Sequence, residues 1–187
     1  MRFKILIITL LGITLTTNAQ TPSVEKSIWQ IQSGFIGVWF NIESRLTNSL
    51  ALRCEVGLDG GWKSYDDNYA YALAPVIRLE PRWYYNFGNR IDKSLRIDNN
   101  SGNYLSLKTS LNPDLFVISN KDNVTVYNQL NVLPMWGIRR NIGKHFNYEL
   151  GLGLGGRYIF PYEGSTIEGE GEWNVAIDLN LRIGYTF

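Results

Sequence analysis

The sequence predicts an all-β chain folded as an antiparallel up-and-down barrel of eight strands. Three observations predict it. From Trp173 to Phe187 every second residue is apolar: Trp173, Val175, Ile177, Leu179, Leu181, Ile183, Tyr185 and Phe187. The same period of two recurs in six earlier segments, and no helical periodicity competes with it. The segments are separated by turn-rich stretches with no Pro/Ser/Gly linker, so the strands belong to one domain.

Residues 1–19 read as an export signal and not as part of the fold. Arg2 and Lys4 form a positive n-region, Ile5 to Leu15 an apolar stretch, and Thr17-Asn18-Ala19 a small-residue cleavage site before Gln20. The apolar run is too short for a membrane anchor, and no later stretch is long enough for a spanning helix. The mature domain is therefore expected to cover residues 20–187.

The chain carries 18 Lys+Arg and 17 Asp+Glu, and removing Arg2 and Lys4 leaves 16 against 17. A near-neutral chain makes no bulk electrostatic claim on nucleic acid. Aromatics at 13% exclude disorder, since they supply ample apolar surface to bury. The single Cys54 excludes an intrachain disulfide, and a single His145 makes zinc and histidine chemistry poor expectations. No cofactor or metal is expected, and no enzymatic activity.

Each segment follows from its own alternation. Residues 35–43 set Ile36, Val38, Phe40 and Ile42 against Gly37, Trp39, Asn41 and Glu43. Residues 49–59 set Leu50, Leu52, Cys54, Val56 and Leu58 against Arg53, Glu55 and Asp59. Residues 71–85 set Ile77, Leu79, Pro81, Trp83 and Tyr85 against Arg78, Glu80 and Arg82. Residues 103–111 set Leu105, Leu107 and Leu111 against Ser106, Lys108 and Ser110. Residues 125–139 set Leu130, Val132, Pro134, Trp136 and Ile138 against Gln129, Asn131, Leu133, Met135, Gly137 and Arg139. Residues 146–160 set Phe146, Tyr148, Leu150, Leu152 and Leu154 against Glu149 and Arg157. An even count needs one more strand, and only Val24–Gln32 has room for it, where Ile28, Gln30 and Gln32 make a weak strand, with a turn near Ser33-Gly34. Pro81 and Pro134 lack a ladder donor and predict bulges. The stretch 86–102 is long for a turn.

Alternation does not say which face is inside. The polar face carries Arg53, Glu55, Arg78, Glu80, Arg82, Lys108, Glu149, Arg157, Asp178 and Arg182, and an eight-stranded barrel has room inside only for side chains. These charges would then have to pair, with Glu43, Tyr84 and waters meeting the excess of cations. Aromatics gather at segment ends, Trp83, Tyr85, Trp136 and Tyr148 towards one and Tyr158 and Trp173 towards the other, as two interfacial belts would require. The G-x-G-x-x-G match at Gly151–Gly156 lies inside a strand, so its glycines are expected to make room for neighbouring Arg and Glu side chains, not to bind a nucleotide. His145 falls in a turn, and the acidic stretch Tyr162–Glu172 with Asp59, Asp66 and Asp67 fits no calcium-loop template.

The C-terminal Leu181, Ile183, Tyr185 and Phe187 resemble the terminal signature of small bacterial outer-membrane β-barrels, such as the transmembrane domain of outer membrane protein A. The resemblance implies a cell outer-membrane location in a Gram-negative bacterium, recognition by the barrel-assembly machinery, contact with outer-membrane lipids and lipopolysaccharide, periplasmic termini, and a monomer. With its lumen closed by the paired charges, the expected role is structural or surface-interaction. A narrow pore for ions or small hydrophobic solutes, and a soluble periplasmic calycin-like binder with its apolar face inward, are the alternatives.

Overall fold

The computed structural model describes residues 22–65, 68–122, 124–161 and 170–187. The expected signal segment, Asp66, Asp67 and most of the 162–172 acidic stretch lie outside them. The elements are β1 (Ser27–Gly34), β2 (Gly37–Arg45), β3 (Leu50–Tyr65), β4 (Asn68–Tyr84), a short helix α1 (Phe87–Asp92), a 3-10 turn (Asp98–Asn100), β5 (Asn103–Asn112), β6 (Ile118–Ser119), β7 (Gln129–Ile142), β8 (Phe146–Ile159) and β9 (Glu172–Thr186). All nine strands join one antiparallel sheet. Neighbours in sequence pair in turn, and β1 returns to β9 from Gln30↔Thr186 to Gly34↔Arg182, which closes a ring. The two-residue β6 attaches to β4 alone, at Ala72 and Leu73.

The strand at Val24–Gln32 forms as β1, three residues later than expected at its start and two at its end. Ser33 and Gly34 stay in the ladder, opposite Val38 and Arg182, and the chain reverses at Phe35-Ile36. Gly37 follows at φ +136, a conformation open to glycine and strained for any other residue. The stretch between the 49–59 and 71–85 segments, where the sequence reading places a turn over Asp59–Asn68, is mostly strand: Gly60–Tyr65 pairs with Asn68–Leu73 and lengthens the β3–β4 hairpin.

The prolines make gaps without bulges. Between β4 and β5 the pairing runs Leu79↔Thr109 and resumes at Arg82↔Ser106 in unchanged register. Between β7 and β8 it runs Val132↔Gly156 and resumes at Met135↔Gly153, again unchanged. Each gap is the loss expected when proline occupies a hydrogen-bonded pair, Pro81 opposite Leu107 and Pro134 opposite Leu154. The partner carbonyl loses its strand donor, but no residue is inserted.

Burial settles the faces. Arg53, Glu55, Arg82 and Glu149 are buried inside the ring, whereas Val175, Ile177, Leu179, Leu181 and Ile183 stand 58–80% exposed along β9. The apolar faces point outward on every ring strand.

The long 86–102 segment closes one end. Phe87 of α1 stacks on Tyr84 at 5.1 Å, and Tyr84 meets Tyr104 at 5.5 Å; with Val24, Ala51 and the half-buried Ile97 they form a small apolar seal. Asn99 and Asn100 take the left-handed conformation that asparagine tolerates (φ 47 and 58). This turns the Asn100 amide inward to donate to Glu43 Oε1 at 2.6 Å, while its oxygen accepts from the Glu25 N–H at 2.7 Å. Arg96 donates twice to Asp98 and once to the Gly143 carbonyl, clasping the segment to the β7–β8 turn. Those donations hold the Asp98 carboxyl below its ordinary range.

Pro134→Val restores an N–H aimed at the Leu154 carbonyl. It should stabilise the ring by roughly 0.5–1 kcal/mol after the unfolded-state entropy offset, read as a higher urea midpoint with unchanged slope.

Candidate functional site

One continuous chain of charges runs through the interior. At its centre Glu149, fully buried, accepts from three guanidinium groups: Arg53 at 3.0 Å, Arg82 at 3.2 Å and Arg139 Nε at 2.7 Å. Gln32 adds a fourth donor at 3.0 Å. Arg53 then crosses to Glu55 at 2.5 Å, and Glu55 also accepts from Arg78 at 2.5 Å and Arg182 at 2.6 Å. Arg78 continues to Asp59. At the other end Arg82 and Arg139 reach Glu43 at 3.4 and 3.2 Å, and Arg82 also holds Glu80 at 2.8 Å. Carboxylates and guanidiniums thus alternate along the interior from Glu43 to Asp59.

Geometry explains the alternation. Inward residues recur every second position, and antiparallel registers place Glu43 opposite Arg53, Arg53 opposite Glu80, and Glu149 opposite both Arg139 and Arg182. A neighbouring pair of opposite sign is the favourable cross-strand choice. The low dielectric of the interior makes pairing obligatory, because a lone buried charge costs several kcal/mol.

Eight of the ten expected network residues are buried inside, and Arg157 and Asp178 are half-buried towards the loop end. Lys108 donates to Asp178 at 2.7 Å, and Arg157 Nε to Asn131 at 2.8 Å. The sequence reading left out Arg139, although it stands in the polar series of its own strand; it is fully buried. With Arg139, Glu43 and Asp59 included, the described interior holds seven cations against six carboxylates. Tyr84 helps as expected, donating its hydroxyl to Glu43 at 2.8 Å.

Aromatic rings order the guanidiniums. Arg182 lies 3.9 Å and Arg78 5.6 Å from the centre of the Trp39 ring, and Arg82 lies 4.3 Å above Tyr104. Trp39 also donates to Asp59 at 2.8 Å. Its ring lies flat against three glycines: a Cβ on Gly34, Gly37 or Gly57 would come within 2.8, 2.6 and 2.6 Å of it. The glycines of β8 serve differently from the expectation. A Cβ on Gly153 would strike Met135 at 2.5 Å and one on Gly155 the Val132 carbonyl at 2.2 Å, so they admit Met135 and the neighbouring backbone and not charged side chains. Leu133, Met135 and Ala176 form a small apolar cluster there.

Outside the ring, Trp83, Tyr85, Trp136 and Trp173 are exposed, and Tyr148 and Tyr158 half-exposed. Trp136 donates to the Tyr85 hydroxyl at 2.8 Å at one end, and Tyr158 meets Phe160 and Trp173 at 5.1 Å at the other. Leu181, Ile183, Tyr185 and Phe187 all face outward. His145 stacks on Tyr185 at 5.3 Å, with Nδ1 3.0 Å from the Thr186 carbonyl. Cys54 is half-buried on the outward face.

Glu149→Leu leaves three guanidiniums without their shared acceptor and should cost about 3–5 kcal/mol in a urea titration. Gly57→Val should cost about 1–3 kcal/mol by overpacking Trp39 and the Val38 carbonyl, whereas Gly61→Ala, with nothing within 4 Å, should stay within about 0.5 kcal/mol. Comparison with known proteins gives no match: no family model, no curated relative and no solved structure aligns with this chain.

Proposed function

We propose that the chain is an integral outer-membrane β-barrel of eight ring strands, with β6 as an addition outside the ring. Its salt-bridged, closed interior serves a structural or surface-interaction role. The observation that carries this reading is the inverted distribution of polarity, with paired charges inside and a continuous aliphatic surface outside. On β9 the exposed aliphatic run from Val175 to Ile183 is flanked by Trp173 and Tyr185. Those nine residues span about 30 Å of strand, or a little over 20 Å of height at a tilt of about 40°, close to the ~25 Å apolar band of such barrels. In water the same surface would be a large exposed patch.

In this reading the termini and the 86–102 seal face the periplasm, and the opposite ends of the ring strands face outward, towards lipopolysaccharide. Leu181, Ile183, Tyr185 and Phe187 then present the terminal signature to the assembly machinery. The unbroken charge chain and the seal at one end support a closed interior over a pore. The charged interior likewise favours this reading over a soluble binder with an apolar cavity.

The test is SDS gel mobility of the outer-membrane fraction, unboiled against boiled. A heat-dependent shift, with an N-terminus at Gln20, is expected. A protein of the soluble periplasm with no shift would overturn the reading. Planar-bilayer recording should show no steady conductance, and an open channel would replace the closed barrel with a pore.

A further inference from the structure

The loop end of the ring is not filled. A cavity of about 520 Å³ opens there, with Trp39 and Arg182 among its lining residues. A smaller recess of about 70 Å³ lies beside it between β5, β7 and β9. The larger volume is within the ordinary range of small-molecule sites. The Glu55–Arg53–Glu149 chain crosses the ring beyond it, and the apolar cluster around Phe87 seals the far end.

Its wall has an uneven charge. Arg78, Lys108, Arg157 and Arg182 line it, against Asp59 and Asp178. Glu55, beneath, brings the carboxylates of this half to three against four cations. The other half balances, with Arg53, Arg82 and Arg139 against Glu43, Glu80 and Glu149. Among the described residues, the one uncancelled cation of the interior therefore belongs to the cavity. Both wall carboxylates are already engaged, Asp59 by Arg78, Trp39 and Asn112, and Asp178 by Lys108. A bound cation would have to displace those contacts. Among the described residues, the Arg157 guanidinium meets Asn131 and no carboxylate. A guanidinium fork of that kind matches the paired oxygens of a carboxylate or phosphate. Asn112, Gln129 and Asn180 add neutral groups suited to hydroxyls.

We infer that this cavity is a binding site for a small polar solute carrying a carboxylate or phosphate group, held chiefly by Arg157 and Lys108. The inference needs only the ring interior and holds whether the outside of the ring meets lipid or water.

The test is calorimetric titration of the full mature chain, folded in detergent micelles, with succinate, glycerol 3-phosphate and glycerol. The heat-dependent gel shift of the same sample reports separately on the membrane-barrel reading. One saturable site is expected for succinate or glycerol 3-phosphate, weakening as sodium chloride is raised, and none for glycerol. Which anion binds distinguishes carboxylate from phosphate. Arg157→Gln should weaken binding about tenfold or more, and Lys121→Gln, an exposed loop change, should not alter it. If Arg157→Gln does not fold, Lys108→Gln is read in its place, with the same expectation. No saturable heat with either anion, or unchanged affinity in a folded cavity variant, would overturn the inference.

Discussion

The structure depends on one constraint: charges placed inside a narrow ring must find partners there. Glu149 and Glu55 each take three guanidiniums, and Arg53 joins the two carboxylates. A buried ion pair is seldom a large net source of stability, because desolvation offsets most of the attraction. It is costly to break, however. That asymmetry makes the network a device for specificity. A one-residue slip of any strand would turn its charges outward and its leucines inward, leaving partners stranded on neighbouring strands. The observed register gives each of the six described interior carboxylates a cationic partner.

The aromatic residues of the interior hold the long side chains in place. A free arginine has many rotamers, and ordering it costs conformational entropy. Trp39, seated on Gly34, Gly37 and Gly57, offers a flat surface to Arg182 and Arg78, and Tyr104 offers one to Arg82. The glycines thereby act on the charge chain at one remove, by admitting the ring that orders it. Along β8 the same residue type admits Met135 and the β7 backbone instead. The two ends of the ring differ for a related reason. At one end the 86–102 segment supplies an apolar plug and an asparagine to cap Glu43; at the other the charges thin out and leave a cavity.

The alternation of polar and apolar residues made the all-β ring and most strands legible, and even the faint Ile28, Gln30, Gln32 pattern marked a real strand. It also named nearly every charge now found inside, because residues of one parity must share a face. What it could not place were features set by neighbours. The reversal at Phe35-Ile36 is flanked by Gly34 and Gly37, where the Trp39 ring leaves no room for a side chain. The persistence of register past Pro81 and Pro134 depends on ladder bonds on either side. Arg139 was missed only because its strand also carries apolar inward residues, Leu133 and Met135, which blur the parity.

By itself, then, the sequence determined the period of two, the sign of each face and the inventory of charges, since these are properties of residues two apart on an extended chain. Only the tertiary structure decided which carboxylate serves which guanidinium, that the chain between Asn86 and Gly102 folds back to seal one end, and that a cavity with one cation to spare among the described residues remains at the other. Those depend on registers between strands distant in sequence, and on how much volume the inward side chains fill once the ring has closed.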